Sequence, residues 1–420
     1  MRKLLLAIVL IAVGIGFSVF RQRQLVYELP KSQINSEELY QGISYEGVGN
    51  KYRVSLISDK LVSPTRILIT PDNRHLLVSQ ITGEVMTFDR MDGSWSDIPN
   101  LVTRVETKFP GFPPDEAGLT GIVLSSNFPQ NGKLFLLYTY KDKDGNTQNR
   151  ISVSQIKEKS GKLVGTKPKL IYQANIAGTG SHQITDGIGL TIENEPHIMF
   201  LIGEGFHGER AQDPKLEAGK VIIIREDGSN PLGTRPFENP KVEALGIRNA
   251  YVIASNPNDP GKYLIGDTGP DKYDRLIYTQ LANGAKLNFN WNGGQEKLKE
   301  PIPDPNNPQV KDLVIYRLLQ TRTFTGLKFI PNSNDVLAVA FGQTGSSQNS
   351  PGKEIWLGKL TNLSGQPRIA FSPIIRRVQA AEGKLGNPIG LEIDPQTGDF
   401  FFADILEGRL YQVIGGGNNE

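Results

Sequence analysis

Apolar residues fall in short runs along this chain, and Gly, Pro, Asn and Asp punctuate nearly every run. Long amphipathic stretches at helical spacing are absent. This pattern predicts strands joined by turns. One unit recurs. Pro64-Thr-Arg-Ile-Leu-Ile-Thr-Pro71 is followed by Leu76-Leu-Val-Ser79 and then Gly83-Glu-Val-Met-Thr-Phe88. Near the end, Pro388-Ile-Gly-Leu-Glu-Ile-Asp-Pro395 is followed by Phe400-Phe-Phe-Ala403 and Gly408-Arg-Leu-Tyr-Gln-Val413. Looser copies open at Gly118, Gly187, Gly246 and Phe324. Starts near 64, 118, 187, 246, 324 and 388, roughly 50–80 residues apart, suit four-stranded blades with variable loops. The expected fold is all-β, a six-bladed propeller; a pair of β-sandwiches would give no reason for six recurring starts. The spare strand Tyr52-Arg-Val-Ser-Leu-Ile57 is expected to pair into the blade of residues 388 to 414, closing the ring and removing free sheet edges.

The ends read differently. Met1-Arg2-Lys3 precedes an uncharged apolar run from Leu4 to Phe20, and Arg21 and Arg23 follow. That run predicts an N-terminal apolar helix, residues 1–23, serving as a signal anchor in the membrane or as a cleaved signal. Ser18-Val19-Phe20-Arg21 is a poor cleavage site. Either reading exports the rest: membrane-anchored with the propeller on the periplasmic or extracytoplasmic side, or secreted. Residues 24–50 read as a polar tether, 51–415 as the propeller and 416–420 as a flexible tail. The chain has no cysteine, which excludes disulfides, thiolate metal sites and a bacterial lipid anchor. With 46 basic against 44 acidic side chains and no basic stripe, nucleic acid is not an expected partner.

Three short segments carry candidate chemistry: His182-Gln183, Gly246-Ile-Arg-Asn249 and Gly266-Asp-Thr-Gly-Pro270. His182 is a candidate general base, since a neutral imidazole can take a proton from a hydroxyl; the plainer reading is a structural, hydrogen-bonded histidine. His207, in a Gly-flanked loop, is its rival, and His75 and His197 read as surface residues. Glu204 is placed to hold one ring nitrogen of His182, or is an exposed turn acid. Arg248 offers a planar, permanent cation, or an inter-blade salt bridge. Gly269-Pro270, amid Asp267, Asp271 and Asp274, exposes carbonyl oxygens of the kind Ca²⁺ takes, or is simply a turn.

These segments, in this order, resemble the soluble quinoprotein glucose/sorbosone dehydrogenases. Further segments are similar to that family: Asp115-Glu-Ala-Gly-Leu-Thr-Gly121, Ala218-Gly-Lys-Val-Ile-Ile-Ile-Arg225, Asn288-Phe-Asn-Trp291 and Val339-Ala-Phe-Gly-Gln-Thr-Gly345. The resemblance implies a site for pyrroloquinoline quinone, Ca²⁺ and an aldose or sorbosone-like sugar, with electrons passed on to an unidentified acceptor. It implies His182 as the base, Glu204 as the residue orienting it, Arg248 and Asn249 at the quinone, and Gly269 and Pro270 as carbonyl ligands of Ca²⁺. The chain departs from the family pattern in three places. Gln183-Ile-Thr-Asp-Gly187 is bulkier than the usual turn, Arg275 stands beside the Gly-Pro turn, and the last blade offers Lys384 where the family has Arg. The alternative is a catalytically inactive propeller that binds carbohydrate or protein. A lactonase-like hydrolase would need clustered acidic metal ligands on the axis, where Glu116 is the one obvious acid at a unit start.

Overall fold

The computed structural model describes residues 44–109, 116–176, 180–270, 273–294, 313–342, 352–363, 366–378 and 386–415. The expected N-terminal helix, the tether as far as residue 43 and the tail 416–420 lie outside them. Among the described residues no helix is long and apolar enough to cross a membrane.

Strands form six sheets of four or five members, and each sheet is one blade. Their innermost strands are Pro64–Ile69, Leu119–Leu124, Ile184–Ile192, Ala250–Ser255, Phe324–Phe329 and Pro388–Ile393. These six strands touch one another in sequence order, and the last touches the first, so the ring closes. The expected starts thus fall on the inner strands, although the third and fourth begin at residues 184 and 250.

The core is divided among the joints. One apolar cluster sits between each pair of neighbouring blades; that of the second and third holds Phe135, Ile151, Phe200 and Ile222, all fully buried. Short apolar runs suffice here because both faces of every blade are covered. Inner strands approach so closely that a Cβ on Gly121 would lie 2.4 Å from the carbonyl oxygen of Thr185 in the next blade.

Closure uses the N-terminal segment twice. Tyr52–Ser58 pairs antiparallel with Arg409–Gly415 at the outer edge of the sixth blade. Before it, Tyr45–Gly47 pairs with the outer strand Gln366–Arg377 of the fifth. Residues 44–50 therefore already belong to the fold, before the boundary at 51 read from the chain's polarity. Its single apolar anchor, Tyr45, is fully enclosed, and one buried ring among polar neighbours leaves little periodic signal. The Tyr45 hydroxyl donates to Asp404 at 2.7 Å, its ring meets Phe402 edge-on at 4.9 Å, and Ser44 donates to Glu407 at 2.7 Å. Tyr45→Ala is expected to destabilise the ring by about 3–5 kcal/mol, as for other buried aromatics. The denaturant midpoint reports this, and an unchanged midpoint would show that the strap over blades five and six is dispensable.

Candidate active site

All six inner strands slip register by one residue where they pair with their second strands. Bulges of this kind re-aim a side chain. The residues so turned include Thr65, Thr120, Thr185, Tyr251 and Thr325. With Ile389 of the sixth blade they line a cavity of about 440 Å³ on the propeller axis. Four of the threonines also staple the joints. Thr65 donates to Leu119 O at 2.8 Å and Thr120 to Ile184 O at 2.8 Å. Thr185 donates to Ala250 O, and Thr325 to Pro388 O at 3.2 Å.

Arg66 forms the floor. Its buried guanidinium reaches across the axis to Asp186 of the third blade at 3.1 Å, to Tyr251 O of the fourth and to Thr325 O of the fifth at 2.6 Å. A second cavity of about 230 Å³, lined by later residues of the inner strands, begins on its other side. Arg66 therefore separates two spaces that would otherwise be one channel.

His182 lines the larger cavity, and Glu204, buried and not part of the lining, stands behind it. His182 is buried, with positive φ of 56°, and its Nδ1 is 2.8 Å from Glu204 Oε1. Its ring stacks on Phe206 at 3.9 Å. Two loop contacts fix this backbone. Gly205 N–H donates to His182 O at 3.1 Å, and Gly203 lies so near that a Cβ there would be 2.6 Å from the same carbonyl. Asn149 of the second blade holds the following residues, donating to Gln183 Oε1 at 2.8 Å and accepting from Ile184 N at 2.6 Å. The long side chain of Gln183 thus anchors the turn that the sequence marks as bulky.

Glu204 connects this wall to the next. Its own N–H donates to Arg248 O at 2.9 Å. Asp267 caps the Arg248–Asn249 corner, accepting from both backbone N–H groups, and is neutralised by the buried Arg275 at 2.8 Å. Arg275 is therefore structural, and its place beside the Gly-Pro turn serves the corner. The Arg248 guanidinium donates to Thr268 O at 3.0 Å and lies over Trp291. His182, Arg248, Asn249, Gly269 and Pro270 all line the same cavity.

Asp274 ties the Gly269–Pro270 turn to the fifth blade. Its carboxylate accepts from Gly269 N at 2.9 Å, Arg322 N at 2.6 Å and Thr323 N at 2.7 Å. Burial pushes its pKa up, while the three N–H groups work against that shift. With Asp267 and Asp274 so engaged, the oxygens left for a hard cation among the described residues of the turn are carbonyls and the Thr268 hydroxyl. Among the described residues no group of three or more His, Asp or Glu could hold a metal, so the acidic cluster that a lactonase-like site requires is not among them.

The other histidines separate from the site. His75 and His197 are buried, which corrects their reading as surface residues. Each sits at a strand opening but has a polar partner. His75 Nδ1 faces Asp89 at 2.8 Å; His197 pairs with Glu195 O at 2.8 Å and accepts from Leu232 N at 3.1 Å. His207 is exposed, 3.6 Å from Glu209, and does not line the cavity. Lys384 and Asp271 lie outside the described residues. The cavity also contains residues that motif reading passed over: Arg66, Tyr251, Thr321 and Arg322. Burial and then the Glu116 carboxylate push the Tyr251 phenol well above its ordinary range. A threonine or tyrosine at the second position of five inner strands was a visible signal, because the position recurs with the unit.

Residues 61–293 match the family described as Glucose / Sorbosone dehydrogenase. The aldose sugar dehydrogenase of Escherichia coli (strain K12) is 22% identical over 245 residues, 57% of this chain and 61% of that protein. The soluble aldose sugar dehydrogenase of E. coli, solved in its apo-form, shares the fold at a TM-score of 0.64 and 16% identity, over 87% of this chain and 99% of that one. The PQQ-bound form of aldose sugar dehydrogenase from Streptomyces coelicolor does so at 0.61 and 17% identity, over 87% and 98%.

Proposed function

Since this chain belongs to the glucose/sorbosone dehydrogenase family, we propose that it oxidises an aldose or sorbosone-like sugar, using pyrroloquinoline quinone (PQQ) and Ca²⁺ held in the axial cavity. The observation that carries this reading is that His182 and Arg248 line one cavity and are linked through Glu204, whose carboxylate meets the His182 ring and whose N–H donates to Arg248 O.

The residues present fit these groups. A volume of about 440 Å³ lies within the range of sites that enclose small molecules. Three residues lining it, Asn249, Thr268 and Arg322, each carry a buried polar atom without a protein partner. Such atoms in a native fold call for a ligand or water. Arg248 and Asn249 would hold the quinone, and the carbonyls of Gly269 and Pro270 would hold Ca²⁺. When bound, the quinone supplies a hydride acceptor and Ca²⁺ draws electron density from it. His182 takes the proton of the sugar hydroxyl. Glu204 fixes the tautomer by accepting from Nδ1–H, leaves Nε2 as the basic nitrogen, and offsets the charge of the imidazolium that forms. Arg248 keeps a permanent positive charge where negative charge develops. Export, a membrane anchor at residues 1–23 and transfer of electrons to a separate acceptor belong to the same proposal; the apolar N-terminal run supports the first two.

Equilibrium titration tests the cofactor assignment. The folded protein is expected to take up one quinone with Ca²⁺ present and to release it when a chelator removes the ion. Uptake that ignores the chelator would remove Ca²⁺ from the account, and no uptake at any Ca²⁺ concentration would favour an inactive binding propeller.

A further inference from the structure

We propose that Arg322 of the fifth blade is the residue that binds a carboxylate of the cofactor, making with Arg248 a two-guanidinium clamp across the Gly269–Pro270 turn. This rests on the functional reading above and names a residue that neither motif nor family match assigns.

Four observations converge on Arg322. It lines the same cavity as Arg248. Its Nε is buried and has no partner among the described residues, which leaves a planar donor unused. Its nearest carboxylate, Glu354, is 3.9 Å away, beyond hydrogen-bond range, and already accepts from the Trp356 indole at 2.8 Å. The guanidinium lies 5.1 Å from the centre of that indole ring, which supports it without using its N–H groups.

Its backbone is fixed on both sides. Asp274 accepts from Arg322 N, and Gly342 N donates to Arg322 O at 2.7 Å. The same Asp274 carboxylate holds Gly269 N, so the cation and the proposed metal turn keep one spacing. The sixth blade presents Ile389 and Ile405 to this cavity. Among the described residues the positive charge on the cavity's fifth-blade side therefore comes from Arg322. A guanidinium so held favours a planar carboxylate over a neutral group, by two parallel N–H···O bonds. Asp274 and Glu354 are the acidic groups facing it from neighbouring elements. Asp274 is engaged with backbone N–H groups, and Glu354 is shared among the Trp356 indole, Arg376 at 3.5 Å and Arg322 at 3.9 Å, so it neutralises Arg322 only in part and makes no hydrogen bond to its fork.

The test compares wild type, Arg322→Met and Arg322→Lys with two probes, PQQ and its fully methylated ester, each with Ca²⁺ present. Binding is read by quenching of tryptophan fluorescence, and the thermal midpoint of each variant is recorded. Wild type is expected to prefer the acid. Arg322→Met is expected to weaken the acid by about ten- to a hundredfold, the range for a hydrogen-bonded charge pair, and to leave the ester unchanged. Arg322→Lys should recover part of the loss. Equal weakening of acid and ester would mean that Arg322 only shapes the wall, and undiminished binding of the acid would remove it from the site. If wild type binds neither probe, the functional reading fails and the clamp fails with it.

Discussion

Changing His182 to Ala is expected to lower sugar oxidation by about 10²–10⁴-fold, the usual worth of a positioned general base, and to leave quinone uptake largely intact. The two effects separate because His182 and the proposed cofactor contacts lie on different elements. His182 sits on the loop before the third inner strand, held by Glu204 and stacked on Phe206. Arg248, Asn249 and Gly269–Pro270 lie at the fourth blade. Glu204→Gln should fall between wild type and His182→Ala. The amide still contacts the ring but supplies no negative charge to balance the imidazolium. Steady-state kinetics beside the binding titration check this. Equal losses of uptake and turnover in His182→Ala would make the histidine a structural element of the loop.

Arg66→Met is expected to cost about 3–5 kcal/mol of folding stability, the scale for removing one partner of a buried ion pair. Asp186 would then be buried without its cation, keeping only the Ile253 N–H at 3.1 Å. The carbonyls of Tyr251 and Thr325 would lose their donor as well. The double variant Arg66→Met/Asp186→Asn should recover part of the loss, because the uncompensated charge goes with it. Denaturant unfolding of the four proteins gives the coupling directly. Additive losses would show that Arg66 acts by filling space and not by crosslinking blades one, three, four and five.

Much of the fold was legible because a propeller repeats. The unit that opens at Pro64 returns at Pro388, and a repeat survives the loss of any one copy's detail. The spare strand Tyr52–Ser58 could be assigned because a ring must close. Tyr45–Gly47 could not, since three residues give no period and the partner strand lies far along the chain. At the candidate site, the grouping of His182 and Arg248 on one cavity was legible because the motifs that carry the family resemblance place them in one order. Arg66 and Arg322 were not. Each is an isolated arginine in its sequence neighbourhood, and its meaning depends on groups in other blades: Asp186 for the first, the cavity and Asp274 for the second. The error over His75 and His197 has the same origin. A histidine at a strand opening looks exposed until Asp89 or the Leu232 N–H is brought against it.

The most direct test is a single-turnover experiment in the absence of oxygen and of any added acceptor. The protein, loaded with one equivalent of PQQ and Ca²⁺, is mixed with a panel of aldoses while the absorbance of the bound quinone is followed. The account predicts that at least one sugar bleaches the oxidised quinone in a saturable, single-exponential step, and that His182→Ala slows this step without changing the starting spectrum. A bound quinone that no sugar reduces, or bleaching at the same rate in His182→Ala, would contradict it.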